Sequence, residues 1–457
     1  MKIKLMLAVV LVVVLATAFV SQAQHYRAKD PGVRGGAPGA GGMLPGLTAG
    51  QQSFFVAGQA EFAEAEKIGD GLGPRFNLDS CQGCHVQPAV GGTSPAVNPQ
   101  LAVATAFGAR NRIPSFITLN GPVREARFLF NPDGTRDGGV HALFVISGRN
   151  DGTANAAGCH IRQDDFEGQL AAGNVIFRIP TPTFGAGLIE QVPDRVILAN
   201  RDMNADQKTL LGIHGRPHRI LSGDPNRNGN NGTIARFGWK AQNKSLLLFS
   251  GEAYNVEQGI TNELFQTERD ETVACQFRPT PNDVTNMDAT RLTEVVSDVE
   301  KFALFMRFLA APQPSHDTPG GAQSIAHGRS LFGAVGCAGC HTPALQTGPS
   351  MVAALSNQPV RLFSDLLLHR MGPGLADDVL QGQAEGDEFR TAPLWGLGQR
   401  IFFLHDGRTT DLLDAIHAHK SSGSGKFRPS EANGVVDRFR GLSETHKQDL
   451  LNFLRSL

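Results

Sequence analysis

The pentapeptide CAGCH at residues 337–341 has a counterpart in CQGCH at residues 81–85. Both match the C-x-x-C-H motif through which a c-type haem is attached to a protein. In that motif each cysteine adds to one vinyl group of the porphyrin, and the histidine that follows becomes a proximal ligand of the iron. The sequence therefore predicts two covalently bound haem c groups. The attachment residues are Cys81, Cys84, Cys337 and Cys340, and the proximal ligands are His85 and His341.

Two other uses of paired cysteines are open for these motifs. Spaced C-x-x-C pairs can bind zinc, although here the two pairs lie far apart in the sequence and a histidine follows each pair directly. A dithiol motif of the thioredoxin type would require a βαβ context, which neither copy has. Haem attachment is the interpretation that also accounts for the two histidines.

The length and charge of the chain limit the other possibilities. At 457 residues it is long enough for two or three domains, each with its own core. The 42 basic and 43 acidic residues nearly balance, and the basic residues form no block. Nucleic acid is therefore not expected as a partner.

The first residues indicate export. Lys2 and Lys4 precede an apolar run over residues 5–20, and the small-x-small triplet at residues 21–23 is a cleavage site. This is the pattern of a secretory signal peptide over residues 1–23; an uncleaved anchor helix is the alternative. No later stretch could cross a membrane, so no span is expected after cleavage. Because c-type haems are attached outside the cytoplasmic membrane, the expected compartment is the periplasm.

Both motifs follow a helix and a glycine-containing turn, which predicts helices over residues 51–68 and 324–335. The expected fold class is mainly α, with two cytochrome-c-like haem domains, long loops and a few short β-strands inserted. The predicted order is a flexible Gly/Pro-rich leader (24–50), an N-terminal haem domain with insertions (51–311), a linker (312–322) and a C-terminal cytochrome-c-like haem domain (323–457).

Apolar periodicity predicts further helices over residues 292–309, 411–419 and 443–457. Residues 143–146, 175–179 and 246–249 are predicted as strands or short buried segments. The loop at residues 222–233 alternates Asp and Asn as a calcium loop does, but it lacks the closing glutamate, so a solvated turn is the alternative.

Cys159 and Cys275 remain after the two motifs are assigned. In an oxidising compartment such a leftover pair is more often bonded than not. A Cys159–Cys275 disulfide is therefore expected, with two buried thiols as the alternative.

Seven blocks of sequence surround these features. They are GPRFNLDSCQGCHVQPAVGGTSP, TPTFGAGLIEQVPD, RFGWKA, VEQGITNE, SDLLLHRMGPGLAD, EFRTAPLWGLG and FLHDGRTTDLLDAIHAH. Together they resemble the di-haem c-type oxidoreductase family of peroxidases, whose members are sometimes labelled thiol oxidoreductases. The family is distantly similar to bacterial di-haem cytochrome c peroxidases and to the di-haem enzyme of methylamine utilisation. The resemblance covers nearly the whole mature chain.

The resemblance implies that the two haems have different roles. In the related peroxidases the N-terminal haem meets hydrogen peroxide and the C-terminal haem passes electrons to it. The resemblance places Trp239 between the haems and Glu257, in NVEQG, at the position of the acid–base glutamate, although Gln258 replaces the family's methionine. Glu257 also fits chemically, because cleavage of the O–O bond moves a proton and a buried carboxyl has a raised pKa. A solvated glutamate and an ordinary core tryptophan are the alternatives.

The sixth iron ligands are expected to differ. No histidine or methionine lies between Val86 and His141, where many relatives have a capping histidine. The first haem is therefore expected to be open or water-bound, unless a distant residue such as His141 or His160 folds back onto it.

For the second haem, the resemblance points to His419, fourteen residues after the histidine of the HDG triplet. His369 and Met371 are the rival ligands. The triplet's own histidine, His405, is expected near a haem propionate together with Arg408. Arg370 and Arg390 are further candidates for such contacts.

Three functions compete at this point. The leading one is a periplasmic di-haem oxidoreductase that reduces hydrogen peroxide with electrons from a small cytochrome c or cupredoxin. The second keeps the haems but uses high-valent iron to oxidise a protein or organic substrate. The third is a non-catalytic electron carrier with two six-coordinate haems. Relatives also hold calcium between the haems, so calcium is a candidate cofactor, although no carboxylate cluster in the sequence identifies its site.

Overall fold

The computed structural model describes residues 27–106, 112–146, 156–220 and 232–457. The predicted signal peptide lies outside the described residues, and so does most of the candidate calcium loop. Within the described ranges, no helix is long and apolar enough to cross a lipid bilayer.

In the described part of the chain, helices contribute more residues than strands. The α-helices are α1 (Ala49–Ala63), α2 (Cys81–Cys84), α3 (Gln100–Ala106), α4 (Phe166–Ala171), α5 (Ala186–Glu190), α6 (Asp194–Asp202), α7 (Ala205–Leu211), α8 (Leu246–Gln258), α9 (Leu292–Val295), α10 (Asp298–Phe308), α11 (Gly321–Val335), α12 (Leu412–Ala418), α13 (Asn433–Arg440) and α14 (Glu444–Ser456). Short 3-10 helices span Ile68–Asp70, Val273–Cys275, Cys337–Gly339, Ala353–Leu355 and Leu397–Gln399.

The strands are short, as the sequence predicted. They are β1 (Arg75–Phe76), β2 (Glu125–Phe128), β3 (Val140–His141), β4 (Phe144–Val145), β5 (Val175–Arg178), β6 (Leu345–Gln346), β7 (Pro359–Val360), β8 (Leu368–Arg370) and β9 (Glu388–Arg390). One sheet has the antiparallel order β3-β2-β5, and the pairs β1-β4, β6-β7 and β8-β9 form two-stranded sheets. In the larger sheet Glu125 of β2 lies directly opposite Arg178 of β5.

The two halves of the chain present their haem motifs with the same kind of helix pair. Helix α1 precedes the first motif and packs against α10, whereas α11 precedes the second motif and packs against α14. Each pair meets at a glycine: a Cβ on Gly58 would collide with the carbonyl oxygen of Lys301, and a Cβ on Gly328 with that of Asp449. A larger residue at either glycine would therefore push the helices apart.

Residues 27–48, here called the strap, do not form the flexible leader predicted for this part of the sequence. The N–H of Leu44 donates to the carbonyl oxygen of Phe308 at 2.7 Å. Near the other end of the strap, Nε of Arg455 donates to the carboxylate of Asp30 at 2.7 Å. The strap is therefore bonded to the last helix of each half. Its glycines and prolines prevent a helix, but they permit an extended chain that follows the surface of both halves.

Capping side chains set helix boundaries that the apolar pattern missed. Helix α1 begins two residues before the predicted start, because Thr48 accepts a hydrogen bond from the N–H of Gln51. The helix predicted over residues 292–309 is interrupted, since Val296 and Ser297 are extended and Ser297 caps α10.

Residues 246–249 begin helix α8, and the prediction of a strand there is wrong. Ser245 caps the helix by accepting a hydrogen bond from the N–H of Leu248. The buried carboxylate of Glu190 accepts a further bond from the N–H of Leu246 at 2.8 Å. A short apolar run alone does not distinguish a buried strand from the first turn of a buried helix. The difference matters because α8 carries Glu257.

Side chains from both halves fill the core around α1, α8 and α10. Phe302 and Phe305 of α10 belong to this cluster, together with Val360, Leu362 and Trp395 from the second half. A second cluster lies among α11, α12, α13 and α14, and a third lies around β2 and β4. The third cluster includes the predicted Cys159–Cys275 disulfide, which is present.

Candidate functional site

Two internal cavities meet at Trp239, which lines both of them. The N-terminal cavity, of about 160 Å³, contains the first C-x-x-C-H motif. The C-terminal cavity, of about 220 Å³, contains the second. Because the cysteine pairs lie in different cavities, they cannot share one zinc ion. Among the described residues, no group of three or more His, Cys, Asp and Glu side chains is placed to hold a metal ion.

The first motif is held by the short helix α2. Ser80 caps the helix by accepting a hydrogen bond from the N–H of Gly83 at 3.1 Å. His85 follows the helix, and its Nδ1 lies 3.0 Å from the carbonyl oxygen of Gly92. Burial lowers the pKa of His85, so the ring stays neutral. A proton on Nδ1 then leaves Nε2 free to bind iron, as is usual for metal-ligating histidines.

The second motif repeats this arrangement with different partners. Gly336, with a φ of 107°, ends α11 and turns the chain into the motif. Nδ1 of His341 lies 3.0 Å from the carbonyl oxygen of Phe363. Burial, together with the nearby His419, lowers the pKa of His341 to about 4. His341 is therefore also a neutral imidazole whose Nε2 is available to a metal.

The motif cysteines fit attachment of a porphyrin in each cavity. None of the four is in a disulfide, and each pair lines the cavity of its own motif. Burial raises the pKa of all four thiols. Each cavity therefore combines a mostly apolar wall, two neutral thiols and one neutral imidazole, which is the donor set that a c-type haem requires.

His419 brings a second imidazole to the C-terminal cavity. It directly follows helix α12 and lines the same cavity as His341. Its Nδ1 lies 2.7 Å from the carbonyl oxygen of Ala415, and burial lowers its pKa. All three histidines expected to bind iron thus have Nδ1 beside a backbone carbonyl. Two neutral imidazoles on one cavity can hold one iron from both sides.

The rival ligand His369 is held between two carboxylates. Its Nε2 lies 2.9 Å from Asp365 and its Nδ1 lies 2.7 Å from Glu431. Both ring nitrogens are thus taken up by carboxylates, so neither is free to bind iron. Met371, which also lines the C-terminal cavity, remains the rival ligand.

Replacing His419 by methionine is expected to change the low-spin haem spectrum and to raise the midpoint potential of one haem. The shift should be on the order of 100 mV, because axial ligands tune haem potentials over a span of about 0.8 V and thioether ligation gives a higher potential. Potentiometric titration of the purified holoprotein measures it. The His417→Met variant is the matched control, since His417 does not line the cavity. An unchanged spectrum in the His419 variant would transfer the assignment to Met371.

Two arginines are buried at the wall of the C-terminal cavity. Arg390 and Arg400 are 7% and 8% exposed, and both line this cavity. Arg390 donates to the backbone carbonyls of Gly238 and Thr391, and within the described residues neither guanidinium forms an ion pair. Burial lowers the pKa of each arginine to about 10. Haem propionates would supply the missing anions.

His405 and Arg408, predicted together, are separated by the structure. His405 lines the C-terminal cavity and stacks on Phe389 at 4.4 Å between ring centroids. Burial lowers its pKa to about 4. Arg408 instead donates to the carboxylate of Asp406 at 2.7 Å and does not line either cavity. Arg370 also lies outside the cavities, paired with acidic side chains.

Glu257 lies in the last turn of α8 and lines the N-terminal cavity. Asn77 donates to its Oε2 at 3.3 Å. Burial raises the pKa of Glu257 well above its ordinary value, and the neighbouring carboxylate of Glu125 raises it further. The side chain therefore lies at the cavity wall and holds its proton to higher pH than a solvated helix glutamate would.

Strand β2 supplies charged groups that the sequence did not reveal. Glu125 and Arg127 project from the same side of the strand, form an ion pair, and line the N-terminal cavity with Arg178. Burial raises the pKa of Glu125, but Arg127 and Arg178 outweigh this and lower it. The pKa values of the two hydrogen-bonded carboxyls are thus shifted apart, that of Glu125 downward and that of Glu257 upward. The i, i+2 spacing of Glu125 and Arg127 was a signal in the sequence, but nothing in it linked β2 to α8.

The face of the N-terminal cavity opposite His85 has no second histidine among the described lining residues. His141 is bonded to Asp137 at 2.7 Å and stacked on Phe128, and His160 is exposed. Met306 lines this cavity and brings a thioether to it. Neither distant histidine therefore folds back in the way that the sequence left open.

Trp239 is fixed at the junction of the two cavities. Its indole Nε1 donates to the carbonyl oxygen of Ile179 at 2.8 Å. The ring makes an edge contact with His405, with 6.4 Å between the centroids. Trp239 is thus an aromatic ring that lines both cavities. The two cavities differ in their other lining residues, and each contains side chains that suit a haem.

Residues 129–457 match the family model "Di-haem oxidoreductase, putative peroxidase". The match covers more than half of the chain, so the protein belongs to this di-haem oxidoreductase family, as the seven sequence blocks predicted. The family assigns haem as the cofactor. The first motif lies before the matched range. No match was found among curated proteins.

Solved structures give only weak likenesses. A structure of Kuenenia stuttgartiensis hydrazine synthase, pressurised with xenon, is 18% identical, with a TM-score of 0.24; the match covers 36% of this chain and 56% of that chain. A MauG-like protein associated with microbial copper homeostasis is 17% identical, with a TM-score of 0.28, and the match covers 58% of this chain and 88% of that chain. Neither likeness supports a functional argument.

Proposed function

We propose that this protein is an exported di-haem c-type enzyme that reduces hydrogen peroxide at its N-terminal haem. The observation that carries the proposal is the carboxyl pair at the N-terminal cavity, where Glu257, with a raised pKa, lies beside Glu125, which is paired with Arg127 and has a lowered pKa. The C-terminal cavity has no such pair among its described lining residues, but is lined by the imidazoles of His341 and His419 instead. Chemistry is thus assigned to the first centre and electron transfer to the second.

When bound, the haems supply irons that exchange single electrons, and the N-terminal iron offers a position for peroxide. The protein's own contribution is to manage protons. Reduction of peroxide to two waters consumes two electrons and two protons, and one proton must reach the oxygen that leaves. Glu257 provides an acid at the cavity wall, while Glu125 and Arg127 hold a fixed pair of charges beside it. An acid whose pKa lies near the working pH is the most effective proton donor.

Trp239 is the residue that would connect haems bound in the two cavities, so that electrons from a small donor protein could pass between them. Trp239 supports this route because it lines both cavities. The donor we propose is a periplasmic cytochrome c or cupredoxin. Arg390 and Arg400 would supply the positive charges that bind the propionates of a haem in the C-terminal cavity.

A second candidate function is oxidation of a protein or organic substrate by the same centres. It is favoured by the pairing of His341 with His419, because histidine ligation lowers the potential of a haem relative to methionine ligation. A low-potential second haem is easier to oxidise and holds an oxidising equivalent for longer. A carrier without catalysis is the third possibility.

The test uses the exported holoprotein with both haems attached. We expect a ferric spectrum with one high-spin and one low-spin haem, a rapid reaction with peroxide, and oxidation of two equivalents of reduced cytochrome c for each peroxide. An oxidised state that persists beside reduced cytochrome would support substrate oxidation instead. Two low-spin haems that ignore peroxide would leave only the carrier. Mass spectrometry of the periplasmic fraction tests the predicted cleavage after residue 23.

A further inference from the structure

Tyr254 lies at the wall of the N-terminal cavity, one helical turn before Glu257 on α8. It is 3% exposed, and its ring makes an edge contact with Phe302 at 5.0 Å between centroids. Its hydroxyl donates to Oε1 of Glu66 at 2.8 Å. Glu66 is 4% exposed and does not line the cavity. The ring therefore borders the haem site, while the hydroxyl is bonded to a buried carboxyl behind it.

We propose that Tyr254 is a redox-active residue that delivers one electron to the N-terminal haem site and one proton to Glu66. The inference rests on the proposed reaction with hydrogen peroxide, which supplies the oxidant. In the step, the phenolic O–H bond breaks and the proton bonds to Oε1 of Glu66. The electron leaves for the oxidised haem site, and a neutral tyrosyl radical remains. A later electron from the donor protein, with return of the proton from Glu66, restores the phenol.

The surroundings require the proton and the electron to leave together. Burial raises the pKa of Tyr254 well above its ordinary value, and Glu66 adds to this effect. The residue therefore does not ionise on its own. An oxidised phenol that kept its proton would be an unpaired cation in a buried site, which is costly. A carboxylate 2.8 Å from the hydroxyl removes this cost by accepting the proton.

The protonation state of Glu66 gives the couple a pH dependence. The pKa of Glu66 is raised to about 8, mainly by burial; Asp298, Glu61 and Glu64 contribute to the increase, and the hydrogen bond from Tyr254 opposes it. Only the carboxylate form, which dominates above about pH 8, can accept the phenolic proton. The yield of radical should therefore increase as the pH rises through this value.

The chain has few tyrosines and tryptophans, so a radical can be assigned to one residue. It has two tyrosines, Tyr26 and Tyr254, and two tryptophans, Trp239 and Trp395. Of the tryptophans, only Trp239 lines the N-terminal cavity. Tyr254 thus offers a place for an oxidising equivalent that is separate from the route to the second haem. Such a place would serve when reduced donor protein is lacking.

Electron paramagnetic resonance of the peroxide-treated holoprotein tests the inference. We expect a tyrosyl radical that narrows when the protein contains ring-deuterated tyrosine. The signal should be lost in Tyr254→Phe and retained in Tyr26→Phe. Glu66→Gln keeps a hydrogen-bond acceptor but removes the base. It should lower the yield of radical at least about tenfold, the effect of one pKa unit in proton affinity. It should also abolish the pH dependence of the radical yield. Glu271→Gln, at an exposed glutamate that is not among the residues acting on Glu66, is the matched control.

The outcomes separate this inference from the proposed function. If peroxide changes the haem spectrum but no tyrosyl radical forms, or if the radical is lost in Tyr26→Phe, the inference is wrong and peroxide reduction stands. If peroxide does not react, the proposed function fails, and flash-quench oxidation by ruthenium(III) tris-bipyridine replaces it as the oxidant. A radical that then requires both Tyr254 and Glu66 supports the couple, whereas its absence overturns it.

Discussion

Replacement of Glu257 by glutamine is expected to lower kcat/KM for hydrogen peroxide by about 10²–10⁴-fold, the usual contribution of a positioned acid–base group. Both haems should stay bound, because Glu257 does not belong to either attachment motif. Glutamine keeps the size and polarity of the side chain but cannot take up and release a proton. Stopped-flow measurement of the first reaction with peroxide, corrected for haem content, gives the number.

Glu271→Gln is the matched control for this variant. Glu271 is exposed and near α8 in sequence, but it does not line either cavity. It should react with peroxide at the rate of the unaltered protein. If Glu257→Gln also keeps that rate, Glu257 has no part in the proton transfer, and the alternative of a glutamate without catalytic role is restored.

The pH profile should identify the carboxyl pair as the titrating group. The pKa of Glu257 is raised and that of Glu125 is lowered, so activity should fall at high pH, when the pair loses its last proton, and at low pH, when both carboxyls are protonated. Because Glu125 is one cause of the raised pKa of Glu257, Glu125→Gln should move the alkaline limb to lower pH. A limb that stays in place would assign that titration to another group.

The sequence predicted the parts of the site that are close together in the chain. Each C-x-x-C-H motif contains its own cysteines and proximal histidine, and the spacing from His405 to His419 lies within one segment around α12. Residues within such a short segment lie close together independently of how distant segments of the chain pack. His419 accordingly lies in the cavity of His341, where the resemblance placed it.

The missed parts depend on contacts between distant segments. Glu125 belongs to the site only because β2 and α8 line the same cavity. Arg400 is a candidate for binding a propionate only because it is buried at the C-terminal cavity without a carboxylate partner among the described residues. Arg408 was expected near a propionate from its place after HDG, but the adjacent Asp406 binds it instead. The strap was misjudged for a related reason: glycine and proline exclude a helix, but they do not exclude an extended segment held by other helices.

Removal of one pair of attachment cysteines is the second prediction with a large effect. The Cys81→Ser/Cys84→Ser and Cys337→Ser/Cys340→Ser variants should each lose one covalent haem, so that covalent haem falls by about half, since two motifs share it equally. Mass spectrometry of the intact chain and the haem absorbance of denatured protein measure the loss. Serine keeps the size of the side chain but cannot form the thioether bond.

The two variants should then differ in function, because the centres are unequal. Loss of the N-terminal haem should abolish the reaction with peroxide and leave a low-spin spectrum from His341 and His419. Loss of the C-terminal haem should leave a peroxide-reactive high-spin haem but prevent oxidation of the donor protein. If both variants lost the reaction with peroxide while one haem stayed attached, the first centre would not act alone. The reaction with peroxide would then require an electron from the second haem in addition to the proton from the pair of Glu257 and Glu125.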